Sequence, residues 1–212
     1  MDSRIGGILQ ALDREKLTSN TVVVFLSANG PEPMTKASKA TPYRGKKWSA
    51  LEGGTRVPCI IRWPGVIPKG RESNALVAAI DLLPTLSHAC GIDLDSISTG
   101  SPVIDGLNVW PTLTGKGKGS HARDVLLYWH GADGFQAIRS ADWKLFPKRK
   151  GARLKGGQGP ALFHLAQDLE ERTDLSEQHP EKVAAMKKMA EDLLAEIAKN
   201  KMALGKFVLT AK

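Results

Sequence analysis

The feature that most constrains this chain is residues 21–64, TVVVFLSANGPEPMTKASKATPYRGKKWSALEGGTRVPCIIRWP. It opens with Val22, Val23, Val24, Phe25 and Leu26, a continuous β-branched and apolar run. A half-solvated strand alternates apolar and polar residues, so an unbroken run predicts a strand covered on both faces in the middle of an α/β sheet. Pro31, Pro33 and Pro42 then keep a long polar segment extended, and a second buried strand is expected over residues 56–64. Ligands of open α/β sheets bind beyond the carboxyl ends of the strands. Chemistry is therefore expected at Ser27, Ala28, Asn29 and Gly30 and in the loop after them, since long loops without structure of their own are often functional.

The order Ser27-Ala28-Asn29-Gly30, Arg44-Gly45-Lys46-Lys47, Glu52-Gly53-Gly54 and Arg56-Val57-Pro58 resembles the sulfatase family, the arylsulfatase-type branch of the alkaline phosphatase superfamily. In that family a strand ends in Ser-Asp-Asn-Gly, and Arg-Gly-Gly-Lys, four residues, Glu-Gly-Gly and Arg-Val-Pro follow. The resemblance places Lys47 on the family's sulfate-binding lysine. It implies hydrolysis of sulfate esters by a formylglycine nucleophile, with calcium or magnesium and lysines holding the sulfate oxygens. A hard cation needs oxygen ligands, and the metal-ligand aspartate of the family is replaced here by Ala28. Asn29 is left as a candidate ligand of a weakened metal site. The family's Cys-x-Pro-x-Arg or Ser-x-Pro-x-Arg motif does not occur in this sequence, so formylglycine has no precursor, and neither Cys59 nor Cys90 fits the pattern. Whether the chain is an enzyme is thus open at this point.

Composition narrows the partners. The chain has 212 residues and a net charge of +8, yet no zinc spacing or RNA-binding aromatic pattern accompanies that charge. It reads as a solvated basic face, and nucleic acid is not the expected partner. Two cysteines make no disulfide framework, and both are expected to be small buried hydrophobes. No run reaches the roughly 18 apolar residues of a membrane span, and no apolar leader follows Met1. Location stays unassigned, although the family is often periplasmic or secreted. The simplest expectation is a chain truncated before the nucleophile motif.

In chain order, Ile5, Ile8, Leu9 and Leu12 predict an amphipathic helix over residues 3–17. Asp81 is expected to cap a helix over residues 82–90 within Asp-Leu-x-Pro-Thr-Leu, a family signature with a structural role. Strands are expected over 125–130, 135–139, 142–146 and 161–165, with Ser140-Ala141 turning the second into the third. Residues 168–175 resemble a family turn. A helix from 180 to about 199 carries Val183, Met186, Met189, Ala190, Leu193, Leu194 and Ile197 as an apolar stripe, its methionines core filler. Lys144, Lys148, Arg149, Lys150, Arg153 and Lys155 read first as a solvated loop and second as a rim for an anionic substrate.

The fold class expected is α/β: the last strands and helices of an alkaline-phosphatase-like sheet over 1–115, then a small antiparallel sheet with a C-terminal helix over 116–212. Substrate-binding candidates are Lys47 and, from the second unit, His130. The functional expectation is a sulfatase-family protein inactive alone, acting toward a sulfated small molecule or glycan. The alternative is a non-catalytic module that binds sulfated or other polyanions. An exposed sheet edge invites association, so a homo-oligomer or a separate N-terminal half is the expected partner.

Overall fold

The computed structural model describes residues 1–34, 39–97, 104–116, 123–131, 134–149, 154 and 158–201. The first helix, α1, spans Asp2–Arg14 and ends three residues earlier than its apolar spacing suggests. Glu15 leaves helical geometry and Lys16 takes a positive φ of 57°, which turns the chain toward the first strand.

Strand β1 (Val23–Leu26) pairs antiparallel with β2 (Cys59–Arg62), from Val23 opposite Arg62 to Leu26 opposite Cys59. The expectation of a central strand covered on both faces is corrected here. All four β1 residues are only half-buried, and among the described residues β2 is the neighbour of β1. Cys59 and Cys90 are both exposed, also against expectation. Cys59 starts the open end of β2, and Cys90 caps the solvent-side end of a helix.

Short helix α2 (Glu52–Thr55) precedes β2, and α3 (Leu82–Ala89) follows it, then α4 (Leu94–Ile97) and α5 (Trp110–Thr114). Asp81 does not cap α3 with its side chain. Its fully buried carboxylate instead accepts the backbone N–H of Ala78 at 2.8 Å and of Leu107 at 2.7 Å, and Arg123 Nη2 at 2.6 Å. A charge already paired with a guanidinium and two amides is satisfied, so its role is to tie three segments together.

The second sheet has the order β3 (Val125–His130), β4 (Gly134–Ser140), β5 (Trp143–Phe146) and β6 (Ala161–His164), antiparallel throughout. Ser140 pairs with Trp143, so the tight turn is Ala141-Asp142, one residue beyond the expected dipeptide. Ala141 takes φ 49° there, as hairpin turns require. One face, with Ile138, Leu145 and Leu162, packs on Val183, Met186 and Ala190 of α6 (Pro180–Asn200). The other face, with Tyr128, Ala137, Phe146, Ala161 and Phe163, packs on Ala50 and Leu51 from the loop before α2. The long loop between β1 and β2 is thereby clamped to the second sheet. The mixed α/β architecture agrees with the expected class. Among the described residues no helix is long and apolar enough to cross a membrane.

Candidate functional site

The loop beyond β1 is organised by backbone contacts that only glycine permits. Gly30 N–H donates to Gly54 O at 2.9 Å, Gly53 N–H to Arg44 O at 2.7 Å, and Lys47 N–H to Pro31 O at 2.9 Å. A Cβ on Gly53 would collide with the carbonyl oxygens of Arg44 and Gly45, and one on Gly54 with those of Ser49 and Lys46. The Glu-Gly-Gly sequence is therefore a close-packing device that draws residues 44–49 against the end of β1.

Lys47 projects from this laced segment, with its side chain 35% exposed. Its Nζ lies 3.5 Å from a Glu32 carboxylate oxygen and 5.0 Å from the ring centroid of Trp48. Lys46 points outward, donating to Pro33 O at 3.3 Å. Ser27 Oγ donates to Asn29 O at 2.9 Å, and Asn29 Nδ2 donates to Gly30 O at 2.7 Å. Lys47, Asn29 and Gly30 thus belong to one backbone-linked locus at the strand end.

The donors at this locus do not fit a hard divalent cation. Ala28, which stands where an oxygen ligand is expected, is exposed and has none, and among the described residues no group of three or more His, Cys, Asp or Glu gathers. Asn29 by itself offers one neutral oxygen.

Beneath the loop lies a group of buried charges that the sequence pattern did not reveal. Glu52, 1% exposed, accepts Lys144 Nζ at 2.8 Å and Arg139 Nη1 at 3.4 Å, and receives Tyr128 Oη at 3.4 Å. Glu171 Oε1 stands 3.1 Å from the same ammonium, and its Oε2 accepts the backbone N–H of Glu52 at 2.7 Å. Arg44 donates to the Glu171 carbonyl. The Lys144 ammonium also sits 4.2 Å from the Tyr128 ring centroid. Lys144 is therefore removed from the anionic-rim reading: it is fully buried as the centre of a junction between the Lys47 loop and the second sheet. Arg149 pairs with Asp174, while Lys150, Arg153 and Lys155 lie outside the described residues.

Burial pushes the Glu52 carboxyl up, but Lys144, Arg139 and Arg56 outweigh it and hold the group below the usual carboxylate value. Burial wins at Glu171, whose carboxyl is raised despite Lys144 and the Glu52 amide. Burial alone would lower Lys144, yet Tyr128, Glu52 and Glu171 keep it raised. The arrangement is one committed carboxylate, one reluctant carboxylate and a shared ammonium.

His130 closes β3, paired with Gly134 across the first hairpin. Two signals could have exposed Lys144 and Glu52 in the sequence. Lys144 is two residues from Phe146 on a strand, hence on the same face as a core residue. Glu52 directly precedes two glycines whose close packing buries it.

Residues 1–92 match the sequence profile of the family described as Sulfatase. The chain is 33% identical to human arylsulfatase H over 208 residues, covering 83% of this chain and 36% of that protein. It is 29% identical to an N-acetylgalactosamine-6-O-sulfatase of Bacteroides thetaiotaomicron over 212 residues, covering 91% and 40%. Among solved structures, the PsFucS1 sulfatase from Pseudoalteromonas sp. superposes with a TM-score of 0.77 at 25% identity, covering 94% of this chain and 42% of that one. The chain thus spans about two-fifths of the length of the proteins it resembles.

Proposed function

Because the chain belongs to the sulfatase family, we propose that it carries that family's sulfate-holding part and that Lys47 binds the sulfate group of a sulfate ester. The observation that carries this reading is the partly exposed Lys47 side chain at the carboxyl end of β1, on a segment whose backbone is held by the Gly30–Gly54, Gly53–Arg44 and Lys47–Pro31 bonds. A preorganised point charge suits the spread negative charge of a sulfuryl group and costs little rearrangement when the anion arrives. The anion would displace Glu32, a partly exposed partner at 3.5 Å. Exposed ion pairs of this kind are worth only about 0–1 kcal/mol, so the exchange is easily made.

By itself the chain does not hydrolyse sulfate esters in this reading. No Cys/Ser-x-Pro-x-Arg nucleophile motif occurs among its 212 residues, and Ala28 removes a metal ligand. The substrate class supported is a sulfated small molecule or glycan. His130 is retained as a contact that a larger substrate would reach from the second sheet. The rival reading, a polyanion-binding module built on the 144–155 cluster, is weakened by the burial of Lys144 and the pairing of Arg149 with Asp174. The ribbon of β1 and β2 leaves an unpaired edge among the described residues, which favours association with another chain or copy.

Equilibrium binding of inorganic sulfate and 4-nitrophenyl sulfate to the chain and to Lys47→Ala tests the central point. Weakening of about tenfold or more in the variant is expected, the scale of one charge-assisted hydrogen bond. Equal binding by both proteins would remove Lys47 from the site. Turnover of 4-nitrophenyl sulfate above the Lys47→Ala control would overturn the claim of inactivity.

A further inference from the structure

Trp48 follows Lys47 and has φ 66°, a left-handed conformation that bulky residues rarely adopt. The residue is 62% exposed. A large apolar side chain held in an unfavourable backbone state and turned to solvent contributes nothing to the core, and such outliers concentrate at ligand-binding positions. The conformation is imposed from both sides. Lys47 N–H is held by Pro31 O at 2.9 Å, and Ser49 N–H by Lys46 O at 3.0 Å. Ser49 Oγ accepts the Leu51 N–H at 3.1 Å, and the carbonyls of Lys46 and Ser49 press against Gly54. The turn thus cannot relax without unpacking the glycine contacts beneath it.

The outcome is a flat indole beside the Lys47 ammonium, 5.0 Å from nitrogen to ring centroid. In a sulfate ester of a cyclic alcohol, one bridging oxygen separates the sulfur from the ring carbon. A sulfate on Lys47 therefore brings that ring to within a few ångströms of the indole. We propose that Trp48 is the ring platform of the Lys47 site: it packs on the face of the six-membered ring that carries the sulfate, and selects ring-borne sulfates over the free anion. This rests on the reading that Lys47 holds the sulfate. The ring is either a pyranose, whose C–H face meets the indole, or an aryl group, which meets it edge-on or offset. Trp48 contacts the ring without touching the sulfate, so it acts on specificity.

The test compares the chain with Trp48→Ala, Trp48→Gly, Trp48→Phe and Lys47→Ala by titration calorimetry, using inorganic sulfate, 4-nitrophenyl sulfate and galactose 4-sulfate, whose sulfate is on a ring carbon, as probes. Glycine suits the positive φ, so Trp48→Gly removes the indole and keeps the turn. Trp48→Ala and Trp48→Gly are expected to weaken at least one ring-bearing probe about tenfold, as lost stacking predicts, and to leave inorganic sulfate unchanged. Trp48→Phe should restore most of the affinity. A loss confined to the nitrophenyl probe assigns the platform to aryl rings, and one confined to the sugar assigns it to pyranoses. If Lys47→Ala weakens all three probes and the Trp48 variants weaken none, the platform is wrong while the Lys47 site stands. If Trp48→Gly weakens inorganic sulfate as much as the ring-bearing probes, the indole does not distinguish ring-borne sulfate from the free anion and the proposal fails. If Lys47→Ala changes nothing, the Lys47 reading falls independently.

Discussion

In the four-stranded sheet Ala137, Ile138, Leu145, Phe146, Ala161 and Leu162 are completely buried, whereas in the β1–β2 ribbon no residue is, and Ile60 stays 62% exposed. The two regions have similarly apolar strands, so composition does not separate them. Coverage does. The second sheet has α6 on one face and the Ala50–Leu51 segment on the other, while apolar side chains elsewhere in the first region, such as Ile8, Ile80 and Leu83, remain at least half exposed. Residues 44–54 belong by sequence to the first region and by packing to the second. The proposed anion site therefore stands on the more deeply buried core, through Glu52, Lys144 and Glu171.

The largest expected effect comes from cutting that support. Lys144→Met leaves Glu52 buried beside an apolar chain and should cost about 3–5 kcal/mol in urea denaturation, as breaking one side of a buried ion pair does. Adding Glu52→Gln should recover only part of the loss, because Glu171 also loses the ammonium while Glu52 had kept Arg139 at 3.4 Å. A cost below about 1 kcal/mol would mean that the junction is hydrated in solution and that the two regions are not coupled through it. Next comes Leu162→Ala, at about 2–5 kcal/mol for a fully enclosed leucine between β6 and α6. A smaller value would show that α6 collapses into the gap.

The buried carboxylates sharpen the comparison through pH. Glu52 is lowered from 4.5, so its contribution is present above that value and is lost as pH falls below it. Glu171 is raised from 4.5, so its contribution is present below that value and is lost as pH rises through its folded pKa. Lys144 is raised from 10.5, and its contribution disappears only as pH climbs beyond that. Glu52→Gln should therefore flatten the acid limb of a stability profile, and Glu171→Gln should remove a loss on the rising side. Identical profiles for both variants would show that the two groups titrate as one unit.

Much of this fold was legible because its signals are local. The α6 stripe of Val183, Met186 and Ala190 and the short strands β4 and β5 with a tight turn between them need no knowledge of partners. The turn after β6 was legible too: Asp168 accepts the N–H groups of Arg172 and Thr173 at 2.7 and 2.8 Å. The loop spacing also brought Lys47 and Asn29 to one strand end. What escaped was non-local. Glu52 and Glu171 meet across 119 positions, and a lysine within a basic run shows nothing of the carboxylates that bury it. Asp81 was recognised as structural, but its partners Leu107 and Arg123 lie beyond the helix it was expected to cap. The half-buried state of β1 is non-local for a related reason: its continuous run specifies an apolar strand but not whether anything covers its second face.

The smallest effect on stability is expected at Ile60, and its value lies in being small. Surface substitutions away from special features usually stay within about 0.5 kcal/mol, so Ile60→Ala should leave the denaturation midpoint nearly unchanged while Leu162→Ala shifts it strongly. An exposed isoleucine on a strand with an open edge should instead act between molecules. Light scattering over a concentration series should show association in the unmodified chain, reduced in Ile60→Lys, because a charge on the exposed face opposes pairing. A large stability loss for Ile60→Ala would mean that the ribbon is covered in solution. A monomer at every concentration would mean that the open edge is already blunted, and the contrast between the two regions would then concern packing within one chain only.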